Sequence, residues 1–219
     1  MRVSCAVILA LAAVGGTTGG EAAHRFDVYY CVTDAAADAI GIPRLRDDGD
    51  LSPESELRVW VSRGRDPGLL FRVAREHGEV VAQFAAFELS VGNERPGFRC
   101  DAIGVELGIT VLDHHVVPLA DRSRILHRLL ATGAWRLKSS AANLALGDNL
   151  SLILERRKKG SYGIAAHDNP ERSGGPDEIA ACEIIRVLDG YAAGVGLDFK
   201  PDSCDVASQG SDSEISLKK

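Results

Sequence analysis

His167 sits in the run His167-Asp168-Asn169-Pro170, and an imidazole is the side chain whose ordinary titration range serves acid–base chemistry near neutral pH. Glu155 and Asp148 precede it on a hairpin pattern and supply the carboxylates that would orient or assist such a base. These three residues, His167, Glu155 and Asp148, form the catalytic candidate set, that of a hydrolase working near the last hairpin. Nothing identifies a nucleophile beside them: GSYG is one residue short of a Gly-x-Ser-x-Gly elbow. The same four residues also spell a turn, because Asp and Asn side chains bond their own backbone and Pro fixes φ. The turn is the reading preferred here.

Asp113-His114-His115 is the second polar cluster. Successive residues of a strand point to opposite faces, so His114 and His115 do not share one metal. Asp113 and His115 do share a face, but a zinc site needs a third protein ligand and no spacing supplies it. Solvated strand histidines are expected, with no metal and no cofactor. The basic run Arg156-Arg157-Lys158-Lys159 could grip an anionic polymer or a phosphate head group, or could simply be a charged hairpin tip that discourages edge pairing. No aromatic interleaving suits it to stacked bases. Trp60 and Trp135 lie in apolar periodic contexts and are expected in the core. Asn149-Leu150-Ser151 matches the glycosylation triplet, which matters only in a eukaryotic secretory route. There is no phosphate-binding glycine loop.

The elements that would position these groups begin after an export signal. Arg2, the apolar run Ala6 to Val14 and the small residues up to Ala22 and Ala23 give a signal peptide over residues 1–23. That run is shorter than the roughly 20 residues that cross a bilayer, and no later segment is apolar enough to do so. Periplasmic or secreted localisation follows as the expectation. Abundant Ala, Gly and Arg with a single Met point to a high-GC bacterial source. The chain carries 25 Lys+Arg against 31 Asp+Glu, a net charge of −6, which gives no global attraction to nucleic acid or anionic lipid. An envelope protein or glycan is the partner class that remains.

In an oxidising compartment Cys31, Cys100, Cys182 and Cys204 are expected as disulfides. The helix opening at Pro176 turns Ala180, Ala181, Ile184, Val187, Leu188 and Tyr191 to one face and Cys182 nearly to the other. A bond from Cys182 to Cys204 would pin the tail onto that helix, worth on the order of 3 kcal/mol in the chain-entropy model. Cys31 with Cys100 follows by elimination.

Aromatic and β-branched residues make Phe26–Val32 a strand, and the charged, turn-rich stretch 34–55 an exposed loop. Leu57–Val61, Leu69–Ala74 and Val80–Leu89 follow with short links, an antiparallel meander. Another strand covers Ile109–Leu119. A helix covers Arg124–Trp135, capped by Asp121 or Ser123 and buried through Ile125, Leu126, Leu129 and Leu130. Leu150–Glu155 and Tyr162–Ala166 make the last hairpin. The sum is an α+β fold: an antiparallel sheet meander with two helices, the second C-terminal, in a single domain over residues 24–197. Residues 198–219 form a polar, mostly disordered tail.

The segment from about residue 56 to 190 resembles an uncharacterised family of exported bacterial proteins. The pattern of that family runs from an Arg-x-Trp strand, here LRVWV, and a second strand, LLFRV, to a helix ending in Gly-x-Trp-x-Leu, here LLATGAWRL. A Gly- or Asp-rich entry into a strand ending in Glu follows, here GDNLSLILE. It closes with a Tyr-bearing strand into Asn-Pro and a terminal helix, here SYGIAAHDNP and EIAACEIIRVL. The last hairpin departs from the family by carrying Leu152 and Ala166 in place of aromatics. The resemblance implies the fold and export and assigns no activity. The expectation is therefore a non-catalytic binding or envelope-structural module, with the hydrolase around His167, Glu155 and Asp148 as the alternative.

Overall fold

A computed structural model describes residues 20–46, 55–63, 67–91, 98–100, 105–139, 150–172, 174–194 and 204. Seven strands form one antiparallel sheet: β1 (Ser55–Arg63), β2 (Gly68–Glu76), β3 (Glu79–Val91), β4 (Phe98–Cys100), β5 (Val105–Val116), β6 (Leu150–Lys158) and β7 (Ser161–Asp168). Their order across the sheet is β4-β5-β3-β2-β1-β6-β7. Helix α1 (Gly20–Ile40) covers one face, while α2 (Leu119–Ala131) and the C-terminal α3 (Pro176–Gly194) cover the other. Among the described residues this is a mixed α+β fold with three helices, where the sequence suggested two.

The extra helix is a correction. Phe26–Val32 is helical, not extended, and the helix runs on through residues expected in an exposed loop. The Ala-rich continuation TDAAADAI has high helical propensity. The buried positions of the helix run almost without a break, with Tyr29, Cys31 and every residue from Thr33 to Ala37 inside. Tertiary enclosure of the helix overrides the local β preference of FDVYYCV. The expected signal cleavage after Ala22 or Ala23 falls in the first turn of α1, and residues 1–19 lie outside the described residues.

The meander is set by turn chemistry. His77 and Gly78 (φ 53° and 82°) join β2 to β3, and Lys159 and Gly160 (φ 51° and 77°) join β6 to β7. Two successive left-handed residues are the type I′ geometry that matches strand twist. β1 alternates Leu57, Val59 and Val61 toward α2 and α3 with Glu56, Arg58 and Trp60 toward α1, and all six are buried. The apolar core on the α2–α3 side joins Phe71, Phe84 and Leu154 to Ile125, Leu129, Ile184 and Leu188. The core under α1 is smaller, with Trp60, Leu70, Phe87 and Ile153 against Tyr29, Ala36 and Ala37.

Helix α2 begins at Leu119 straight after Pro118 with no side-chain cap, so neither Asp121 nor Ser123 caps it. It stops at Thr132 because Gly133 (φ 82°) takes the left-handed position past the helix end. Trp135 therefore lies on a separate 3-10 turn, Ala134–Arg136. Ile125 and Leu129 are buried and Leu126 partly so, whereas Leu130 is exposed.

Cys31 lies at disulfide distance from Cys100 and Cys182 from Cys204, with Cα–Cα separations of 5.7 and 5.4 Å. Cys182 is not on a solvated helix face: it and Cys204 are both buried within the α2–α3 core. The rest of the tail lies outside the described residues.

Peptide mapping without reduction should recover Cys31–Cys100 and Cys182–Cys204 linkages, and a Cys100–Cys182 peptide would contradict this arrangement. Gly160→Ala should lower stability in urea unfolding by about 1 kcal/mol, because the added Cβ opposes the left-handed backbone. Lys159→Gly should leave stability unchanged or raised.

Candidate functional site

Ser55 opens β1 directly opposite Arg75 on β2 and Lys158 on β6, and Arg75 stands opposite Val80 on β3. Directly opposed residues share a face, so Val80, Arg75, Ser55 and Lys158 form one row across four strands, about 4.8 Å per step. The row lies on the α2–α3 side, at the end of the sheet those helices leave uncovered. Val73 and Ala74 continue the floor, Leu126 of α2 and Trp135 supply a wall, and Lys159 stands at the hairpin tip. Together these residues line an open cleft of about 630 Å³. Lys158 Nζ lies 5.9 Å from the centroid of the Trp135 ring. No ion pair engages Arg75, Lys158 or Lys159 among the described residues.

Arg156 holds Trp135 in place. Its Nη1 donates to the carbonyl oxygens of Leu137 (2.8 Å) and Ala134 (3.4 Å), which bracket the turn carrying the indole. A Cβ at Gly163, opposite Arg156, would come within 3.1 Å of Arg156 Nε, so the glycine leaves room for the guanidinium. Burial lowers the Arg156 pKa, as expected for a cation drawn from water toward backbone carbonyls. Such a cleft, apolar in body with a few cations at one end, suits a ligand that has an apolar portion and an anionic head.

A second polar assembly lies under α1 and is largely buried. Glu56 Oε1 accepts from Arg58 Nε (2.5 Å) and Arg72 Nε (2.7 Å), and Glu56 Oε2 accepts from Arg72 Nη2 (3.0 Å). Glu155 accepts from Trp60 Nε1 (2.7 Å) and the Tyr162 hydroxyl (2.9 Å). Burial pushes the Glu155 carboxyl above its usual range despite the nearby Arg58 charge, and burial together with Glu155 pushes the Tyr162 phenol up. Tyr29 donates to Asp168 Oδ2 and Ser151 to Asp168 Oδ1, both at 2.7 Å.

The catalytic candidates do not converge. His167 stands opposite Leu152 and Glu155 opposite Ile164. Positions 152 and 155 are an odd number apart on β6, so the two side chains lie on opposite faces of the sheet. Glu155 faces α1, and His167 is buried toward α3, where desolvation lowers its pKa against the raising influence of the Lys138 backbone, Glu178 and Asp177. Asp148 and Asn149 lie outside the described residues. Asn169 takes a left-handed turn conformation (φ 50°), with its N–H on the Leu150 carbonyl at 2.6 Å.

On β5, His115 Nε2 meets Asp113 Oδ2 at 2.8 Å, and that bond holds the Asp113 carboxyl below its usual range. Among the described residues no cluster of three His, Cys, Asp or Glu could hold a metal. Trp60 is a core residue as expected, and Trp135 packs partly buried against the α2–α3 core while also lining the cleft. Arg75 and Ser55 carry no signal of their own in the sequence, and Val80 and Leu126 were legible only as strand and helix-core positions. The His77-Gly78 turn aligns only Arg75 with Val80; the pairing of Ser55 with Arg75 and with Lys158 is register between β1 and its two neighbours, which no local signal carries.

Glu155 and His167 should shift stability with pH in opposite senses. A raised carboxyl pKa stabilises the fold below the ordinary glutamate range and loses that contribution as pH rises through the folded value. Glu155→Gln should therefore gain on the wild type as pH rises. A depressed histidine pKa contributes stability above the ordinary histidine range and loses it as pH falls through the folded value. His167→Gln should gain on the wild type on acidification. Urea midpoints from pH 4 to 8 (roughly the span of both groups' ordinary and shifted ranges) check both signs.

No family model, curated protein or solved structure matches the chain.

Proposed function

We propose that this chain is an exported, non-catalytic binding module whose cleft takes an amphiphilic anion, with an acyl or aryl body and a phosphate or carboxylate head. The observation that carries this reading is the row of Arg75, Ser55 and Lys158, with Lys159 beside it, above a floor of Val73 and Val80 and against Leu126 and Trp135. On a chain of net charge −6, clustered cations that no carboxylate pairs with among the described residues are a local device for an anionic group. The cleft volume of about 630 Å³ falls in the usual range for small-molecule sites. An envelope lipid or glycan bearing a phosphate has this chemistry.

Export is supported by the leader pattern, by the two cysteine pairs and by the resemblance to exported bacterial proteins. No helix among the described residues is long and apolar enough to cross a membrane. A periplasmic or secreted destination is the reading these features favour together. The hydrolase alternative loses its support because Glu155 and His167 face opposite ways.

Dodecyl phosphate should bind saturably and perturb Trp135 fluorescence, with Trp60→Phe retaining that response. Inorganic phosphate and uncharged dodecyl maltoside should bind at least about tenfold more weakly, since each lacks one half of the recognition. Arg75→Glu with Lys158→Glu should weaken dodecyl phosphate by about tenfold or more while the thermal midpoint stays within a few degrees. Equal binding of the phosphate and the maltoside would refute the reading.

A further inference from the structure

We propose that the protein self-associates through β5, two copies pairing edge to edge about a two-fold axis at His114. Among the described residues β4 is the only strand on the outer side of β5, and it pairs with residues 105–107 alone. Among the described residues the stretch Leu112–Val116 pairs with no strand on that side and presents a sheet edge. Native sheets blunt such edges with Lys, Pro, a bulge or a cover. At β7 the cover exists: Ser139 Oγ accepts the outward Ala166 N–H at 3.2 Å. Along β5, residues 108–116 hold neither Lys nor Pro, and Leu112 and Val116 are 48% and 59% exposed.

The direction of the free backbone groups follows from the ladder. Val117 N donates inward to the Ala82 carbonyl at 2.9 Å. Alternation in an antiparallel strand then turns the N–H groups of Asp113 and His115 toward β3 and those of His114 and Val116 outward. The outward His114 N–H is held by the Asp113 carboxylate at 2.8 Å. Among the described residues it has no strand partner.

The sequence Leu112-Asp113-His114-His115-Val116 is complementary to its own reverse. Antiparallel pairing centred on His114 sets it opposite the partner's His114 and exchanges two N–H···O=C bonds between them. Asp113 then faces the partner's His115, and Leu112 faces the partner's Val116. Each exposed apolar residue meets an exposed apolar residue, and each acid meets an imidazole. Isologous two-fold contact requires this self-complementarity. The β-bulge that shifts register between Ala86 and Phe87 sits at Leu112, so pairing is limited to the short stretch up to Pro118. An interface of that size belongs to the weak class.

Sedimentation equilibrium of the full mature chain on the order of 100 µM should show a monomer–dimer equilibrium. His114→Pro should abolish the dimer and keep the fold, because that N–H bonds the Asp113 carboxylate of its own strand and, among the described residues, no neighbouring strand. Asp113→Lys should weaken the dimer, and adding His115→Glu should restore it. His114→Cys should crosslink to its own copy under mild oxidation, whereas Ser90→Cys should not. A monomer at that concentration overturns the proposal, as does a dimer that persists in a folded His114→Pro variant.

Discussion

The constraint on which the rest depends is the burial of Glu56 between Arg58 and Arg72. All three side chains lie inside, where an unpaired charge is costly and removing one partner of a buried pair typically costs about 3–5 kcal/mol. They stay satisfied only while α1 and the chain after it cover them. Arg58 Nη2 donates to the Pro43 carbonyl (2.6 Å) and Arg157 Nη1 to the Leu45 carbonyl (3.0 Å). The sheet thus holds the segment leaving α1, and that segment in turn completes the hydrogen bonding of buried guanidiniums. Asp34 adds an ion pair to Arg46, whose guanidinium lies over the Tyr30 ring. A charged face that would ordinarily meet water is made interior by a helix that carries its own polar groups to meet it.

The same helix accounts for the curl of the sheet. Tyr29 reaches Asp168 on β7, while Cys31 lies at disulfide distance from Cys100 on β4. These strands are the two ends of the sheet order. A flat seven-stranded sheet would place them about 29 Å apart. A helix with its side chains is only about 10–12 Å across. Two residues of one helix, set on nearly opposite sides of it, engage both ends only if the sheet bends round it. Right-handed strand twist and the bulge at Leu112 supply that bend.

This dependence explains what was legible in the sequence. The meander and the last hairpin were readable because two-residue turns and alternating apolar residues are local signals. Helix α3 was readable from Pro176, Asp177 and Glu178 followed by helical apolar spacing. Helix α1 was not, since the tyrosines and Val28 favour a strand locally and only enclosure by the sheet beneath overrides that preference. The alternation of LRVWV indicated which residues share a face, but the burial of Glu56 and Arg58 depends on a helix whose residues were read as a strand and a loop. Cys182 was misplaced for a related reason: a helical-wheel argument assigns one apolar face, whereas the tail returns at Cys204 to cover a second. In the candidate site the lysines were visible as a charge run. Their alignment with Arg75 and Ser55 is a property of register across three strands, which no single window contains.

The cleft and the open β5 edge arise from one feature of the chain, the early start of α2. Pro118 ends β5 and places the helix directly over β3, where Arg122 donates to the carbonyls of Val117 (2.7 Å) and Val80 (3.0 Å). Anchored there, a helix of 13 residues finishes at Thr132, and the chain turns at Gly133 to bring Trp135 over the end of the sheet. Ser55, Arg75 and Lys158 are left uncovered beneath that indole. At its other end the abrupt turn at Pro118 sends the chain inward across the sheet face, away from the strand's outer side. Nothing in α2 therefore shields Val116, and Leu119 at the helix start remains 76% exposed. A helix set further along the chain would cover the strand edge and push Trp135 past the cleft. The position of Pro118 thus determines both exposed surfaces at once.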